Sequence, residues 1–317
     1  MPYERPLWEY RLLEDFTEDT SILFIRMHHS FTDGIGYVSL MSCINDEKYK
    51  TTSKKKIPKY NIFMNALIFI LSPFLILYNL PKIRSFQTDQ KAAFVREIKG
   101  QETYKNKYYA SDYIPFEDVK KCYKKFEKTT FNDYVLGVIS KSFNLWYKQN
   151  GVEGADRIVT MLPISIRELP KSIEELNLDN QTVGFKFPLP IRDKIETAIK
   201  EVKPYLRRFL HPLYVAAMTN FAGIGPYLPE TIGRLVFKDY YSQADMLFSN
   251  IPFAEEPWYF CNKEIIRFGG FGNAQHSITF NLVALTYRGQ LRFTIMSKEN
   301  LKMNPQQLLD NIMSNIV

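Results

Sequence analysis

A chain of 317 residues can form one large domain or two lobes, and its 45% hydrophobic content excludes a disordered polypeptide. The net charge of +7 and sequence pI near 9.0 favour anionic partners. With no helix-turn-helix, zinc-finger or RNA-recognition pattern, nucleic acid ranks below a membrane surface or a phosphate-bearing small molecule.

Aromatic residues make up 15% of the chain, enough to line a tunnel, though such chains more commonly just have aromatic cores. Cys43, Cys122 and Cys261 are widely spaced and odd in number, so they suggest neither a metal site nor a disulfide framework, which fits a reducing compartment. The start of the chain has no basic stretch followed by an apolar run, and it reads without a secretory signal.

In chain order, the first stretch is extended, with an apolar strand over Ser21–Met27 that runs into His28-His29. After Gly34, the spacing of Ile35, Val38, Leu40, Met41 and Ile44 predicts a helix. A lysine-heavy segment, Lys48–Lys59, leads into the most apolar run, residues 62–80. As a helix this run is nearly as long as a bilayer core is thick, but Ser72-Pro73 interrupts it and should kink or break it. It reads as membrane-associated, with a buried core helix as the alternative.

Phe116–Lys128 is expected to be a basic amphipathic helix, most simply a solvated face. Thr130 should cap a long helix with Asp133 in its first turn. Strands follow at Ile158–Ile166 and Thr182–Phe187, then a charged helix from Arg192 to about Leu210 and two further helical stretches before Tyr241. Met246–Ser249, Ile265–Phe268, Ser277–Tyr287 and Leu291–Met296 read as strands, with a turn at Arg288-Gly289-Gln290 and a closing helix over Pro305–Ile316.

Chemistry concentrates in His28-His29-Ser30-Phe31-Thr32-Asp33-Gly34, which holds half of the four histidines. Transfer of an acyl group to an alcohol needs a base of near-neutral pKa, and imidazole supplies it. Gly34 lets the chain turn sharply, and Asp33 can then point back beneath the histidine loop and brace it through an arginine.

This His-His-x-x-x-Asp-Gly string resembles the signature of acyl-CoA-dependent acyltransferases. Further matches narrow the resemblance to the wax ester synthase/diacylglycerol acyltransferase family. They are Pro6-Leu7-Trp8, Asn132-Asp133, Met161–Arg167 as a Pro-x-Ser-x-Arg strand, Asn180 with Gly184 and Pro188–Pro190, and Ser249-Asn250-Ile251-Pro252. The resemblance covers nearly the whole chain in the family's order.

It implies a two-lobed α/β fold like that of chloramphenicol acetyltransferase, with mixed sheets flanked by helices. Residues 1–128 would be a partial N-terminal lobe and residues 129–317 the C-terminal lobe. It further implies an O-acyltransferase that carries a fatty acyl group from acyl-CoA to a long-chain alcohol or diacylglycerol. His29 would be the general base, His28 and Asp33 would position the loop, and no acyl-enzyme would form. Acyl-CoA is a co-substrate, and no other cofactor and no metal is expected. Ser249 and Asn250 are candidate oxyanion donors, with strand-end capping equally open.

Because His29 precedes residues 62–80 while Asn132 and Ser249 follow them, one shared cleft forbids a single membrane crossing. The expectation is a monotopic protein on the cytosolic face of an internal membrane, the endoplasmic reticulum. Two departures stand out: family members carry a longer stretch before Pro-Leu-Trp, and Phe253-Ala254 replaces a Gly-Pro. The first makes the N-terminal lobe read as incomplete, which keeps open an acyl-lipid-binding or scaffold protein without turnover. Amide-forming condensation is a third reading, disfavoured by the Pro-Leu-Trp and Ser-Asn-Ile-Pro matches. The sequence is silent on oligomeric state.

Overall fold

The computed structural model describes residues 4, 6–47, 61–84, 105–167, 169–170, 172–224, 227, 229–231, 244–272 and 278–317. The lysine-heavy segment, His276 and the second of the two helical stretches expected before Tyr241 lie outside these residues.

Tyr287 pairs with Gln290 across a two-residue turn in which Arg288 and Gly289 have φ of 50° and 68°. Two successive positive φ angles match the right-handed twist of the strands they join, so the local sequence sets this hairpin. It links β10 (Phe280–Tyr287) to β11 (Gln290–Lys298). The other elements are β1 (Trp8–Thr17), β2 (Thr20–Met27), β3 (Asn106–Ala110), β4 (Ile114–Pro115), β5 (Arg157–Ser165), β6 (Thr182–Pro190), β7 (Met246–Pro252), β8 (Tyr259–Phe260) and β9 (Lys263–Glu264). The helices are α1 (Gly34–Cys43), α2 (Ile62–Arg84), α3 (Phe116–Tyr123), α4 (Phe131–Gln149), α5 (Ile195–Phe209), α6 (Pro212–Ile224) and α7 (Pro305–Ile316).

The principal sheet is mixed, in the order β3-β11-β10-β7-β5-β6, with β4 also on β11. β10 is parallel to β7 and antiparallel to β11. β10 and β7 are apolar along most of their length, as strands covered on both faces must be. β5 pairs with β7 at Thr160 and Met161, before Pro163 withdraws its N–H from the ladder. β6, which carries Pro188 and Pro190, sits at the edge, where a missing donor costs least.

α4 forms as the sequence leads one to expect. Thr130 accepts from the Asp133 N–H at 3.2 Å while the Asp133 carboxylate accepts from the Thr130 N–H at 2.8 Å, a reciprocal cap. Its apolar face brings Phe143 and Trp146 edge-on to Phe280 of the sheet, and all three rings are buried.

Contacts group the described chain into two compact units. The first contains residues 1–55, 165–182 and 258–264; the second contains the principal sheet and most of the helices. The division at 128/129 drawn from the motifs is one of sequence order, whereas the contact grouping puts the described residues between 61 and 128 in the second unit and returns two later segments to the first. In that unit β1 and β2 form an antiparallel ribbon, with Leu12, Leu13, Phe16 and Phe24 exposed.

Three expectations need correction. α2 runs unbroken through Ser72-Pro73, where the buried Ser72 hydroxyl donates to the Ile68 carbonyl at 2.6 Å and keeps the turn hydrogen-bonded next to the proline. The basic helix stops at Tyr123 rather than Lys128, and Lys128 takes a positive φ of 50°. Ile265–Phe268 is no strand; it belongs to an irregular segment laid over one face of the sheet. Among the described residues, no helix is long and apolar enough to cross a membrane.

Candidate active site

The histidine pair ends β2, and its position is set from the neighbouring strand. Trp8 pairs with Met27, and the carbonyl of Leu7 accepts the His28 N–H at 2.8 Å, so Pro6-Leu7-Trp8 fixes where the pair leaves the ribbon. The Phe31 N–H then donates to the His28 carbonyl at 2.9 Å, which closes a turn. Ser30 folds back on His28, its N–H donating to Nδ1 at 3.2 Å and its Oγ lying 2.7 Å from the same nitrogen.

His29 projects from this turn with its residue exposed, and among the described residues no hydrogen bond holds its ring. Its backbone is held instead: the Asn180 side-chain amide donates to the His29 carbonyl at 2.8 Å.

Asp33 explains why the loop keeps its shape. One carboxylate oxygen accepts from the Gly36 N–H at 2.8 Å and caps α1. The other accepts from the Gln181 N–H at 2.7 Å and from Arg167 Nη2 at 3.2 Å. The Asp33 and Arg167 side chains are only 3% and 2% exposed, so each charge is stable there only with the other present. Arg167 donates as well to the carbonyls of Asn177 and Asp179. A Cβ at Gly36 would sit 2.0 Å from Thr32 Oγ1 and 2.8 Å from Arg167 Nη2, so only glycine lets the helix start come this close. The segment from Ser165 to Thr182 thus wraps the start of α1, and the Ile166 N–H donates to the Gln181 carbonyl at 2.8 Å to close its base.

The remaining motif residues belong to the second unit. Asn132, in the first turn of α4, accepts from Asn250 Nδ2 at 2.9 Å, so the Asn-Asp and Ser-Asn-Ile-Pro strings lock a helix to a sheet strand. Side chains alternate along β7, so Asn250 faces the helix-covered side while Ser249 faces the opposite side. Asn250 is therefore already committed to Asn132, and of the two oxyanion candidates it is the one with a structural bond. Asp133 is the capping carboxylate of α4. Among the described residues, no group of His, Cys, Asp and Glu could hold a metal ion.

Arg167 and Asn180 appeared in the sequence only as motif members without a task, and Thr32, Gly36 and Gln181 gave no signal. The arginine needed to brace Asp33 is 134 residues away, so nothing local identified it.

The wax ester synthase/diacylglycerol acyltransferase catalytic-domain model matches residues 1–62, and the C-terminal-domain model of the same family matches residues 179–316. The probable diacylglycerol O-acyltransferase of Mycobacterium tuberculosis is 24% identical over 185 residues, covering 51% of this chain and 38% of that protein. The chain therefore matches well under half the length of this relative. The solved wax ester synthase/diacylglycerol acyltransferase from Marinobacter aquaeolei superposes with TM-score 0.57 at 14% identity, covering all of this chain and 71% of the other. A trichothecene 15-O-acetyltransferase from Fusarium sporotrichioides gives TM-score 0.62 at 14% identity, covering 98% and 70%. These likenesses agree with the α/β fold of mixed sheet and flanking helices. With both domain models matched in order along it, the chain belongs to the wax ester synthase/diacylglycerol acyltransferase family.

Proposed function

We propose that the chain transfers a fatty acyl group from acyl-CoA to the hydroxyl of a long-chain alcohol or diacylglycerol, giving wax ester or triacylglycerol. The observation that carries this reading is His29 itself: an exposed imidazole on a loop braced by a buried ion pair. A residue held at its backbone, with a ring that no hydrogen bond engages among the described residues, is available to a substrate.

In this mechanism His29 takes the proton of the acceptor hydroxyl as the oxygen attacks the thioester carbonyl. The tetrahedral intermediate collapses, the carbon–sulfur bond breaks, and the imidazolium returns its proton to the departing thiolate of CoA. His28, Asp33, Gly34 and Arg167 position the loop and touch no substrate. Ser249, which faces away from Asn132, remains the candidate oxyanion donor.

The acceptor is a membrane lipid in this reading, and α2 supports access to it. Among its described side chains, which end at Phe74, Ile62, Phe63, Phe69, Ile70 and Phe74 are exposed, while Ile68 and Ser72 are buried. Such a surface is stable against lipid and costly in water. The chain then lies on a membrane surface, and in a eukaryotic host the endoplasmic reticulum is the first to test by fractionation.

The deciding assay supplies purified protein with labelled palmitoyl-CoA and either hexadecanol or diacylglycerol. His29→Ala should lower the rate by about 10²–10⁴-fold with the fold intact. An unchanged rate defeats the mechanism, and binding of acyl-CoA with no turnover by the unaltered chain favours the lipid-binding alternative.

A further inference from the structure

The irregular segment from Ile265 to Gly272 crosses one face of the principal sheet. Tyr287 donates its hydroxyl to the Ile265 carbonyl at 2.7 Å, and Thr294 donates to the Gly270 carbonyl at 2.7 Å. Under this segment lies Tyr113, whose hydroxyl donates to the Phe268 carbonyl at 3.3 Å. Two guanidinium groups face the Tyr113 ring, Arg292 at 4.7 Å and Arg267 at 5.3 Å from its centroid.

Arg292 is fixed further by Nε donating to the Ser111 carbonyl at 2.9 Å and Nη1 donating to the Tyr113 hydroxyl at 3.0 Å. Among the described residues, its Nη2 has no acceptor, and Arg267 has neither acceptor nor ion pair. The nearby Asp112 is exposed and forms no ion pair with either arginine among the described residues. Two like charges against one ring repel each other, and among the described residues no carboxylate pairs with either of them. Gly269 completes the setting: a Cβ there would sit 3.0 Å from Arg292 Nη1, so glycine lets the backbone pass the guanidinium.

We propose that Arg267 and Arg292, aligned by Tyr113, form an anchor for a phosphoryl group. The Arg267 fork together with the remaining Nη2 of Arg292 calls for an anion with several oxygens in different directions, which a tetrahedral phosphate offers and a single carboxylate does not. The site shares a sheet face with Ser249. Arg292 pairs with Leu285, which pairs with Ile251, and two strand spacings separate β11 from β7, roughly 10 Å. Resting on the acyl-CoA reading above, the phosphate belongs to coenzyme A; the other source of the same chemistry is a phospholipid headgroup.

The test is direct binding to the full chain, independent of turnover. Calorimetric titration with CoA and with pantetheine, which lacks the phosphates, should show about tenfold weaker CoA binding in Arg267→Gln and no change for pantetheine. Arg267→Lys should recover only part of the affinity, because an ammonium cannot bind bidentately. Flotation with phosphatidylcholine vesicles, with and without phosphatidylserine, reads the lipid source. Loss of binding to the anionic vesicles alone keeps the anchor and reassigns its ligand. CoA and vesicle binding both unchanged in Arg267→Gln overturns the proposal, as does a wild-type chain that binds neither. If CoA binding falls in the variant while the wild type shows no turnover, the anchor stands and the catalytic reading fails.

Discussion

Two clamps built from motif residues hold this protein, and they differ in kind. In the first unit Asp33 and Arg167 form a fully buried ion pair that braces a loop and the start of α1. In the second, Asn132 and Asn250 form a half-buried bond between neutral amides, joining a helix and a strand already packed through Phe143, Trp146 and Phe280. A loop has no ladder or apolar face to hold it, so its shape depends on strong directional bonds. A helix seated on a sheet needs only a bond that fixes its rotation. The chemistry of each clamp follows from what else supports it.

Breaking the first clamp should have the largest effect. Arg167→Met leaves the Asp33 carboxylate buried without its cation and should cost about 3–5 kcal/mol in urea unfolding. Asp33→Asn/Arg167→Met together should recover part of that loss, since neither buried charge then remains. The second clamp is weaker. A double-mutant cycle on Asn132→Ala and Asn250→Ala should give a coupling energy of about 1 kcal/mol. Thr130→Ala, which removes half of the reciprocal cap beside Asn132, should cost about 1 kcal/mol with little change at the histidine loop.

The smallest effect near neutral pH is an alkaline one. Burial pushes the Tyr134 hydroxyl, which donates to the Ile316 carbonyl, up to about 12 from its ordinary 10.0. A raised value means the folded state holds its proton more tightly than the unfolded one. The associated stability is full below pH 10 and falls as the pH rises towards 12. Tyr134→Phe should flatten that fall in thermal melts, and a fall of equal steepness in the variant would assign it elsewhere.

Much of the second unit was legible in the residues. Thr130 and Asp133 announced the start of α4, Arg288-Gly289 announced the hairpin, and Pro305 the start of α7, because caps and turns are short-range chemistry. The site was legible only in part. The histidine string stood out by its residue types, but the Arg167 partner of Asp33 and the Asn180 hold on His29 did not. Pro73 misled only as a break: its local preference is to end or kink a helix, and α2 continues past it. The irregular path from Ile265 to Gly270 is likewise set by carbonyls accepting from Tyr113, Tyr287 and Thr294, none of them its sequence neighbours.

The sequence alone determined which residue types were available: a histidine pair after an apolar strand, a capping aspartate before a glycine, and motif strings in a family's order. The tertiary structure alone decided that Asp33 meets Arg167, that Asn250 turns to Asn132 while Ser249 turns away, and that two arginines share one tyrosine. Period and capping act over a few residues and can be read along the chain. Ion pairs and ring contacts depend on which distant segments the fold brings within a few ångströms, and that is settled only when the core is packed.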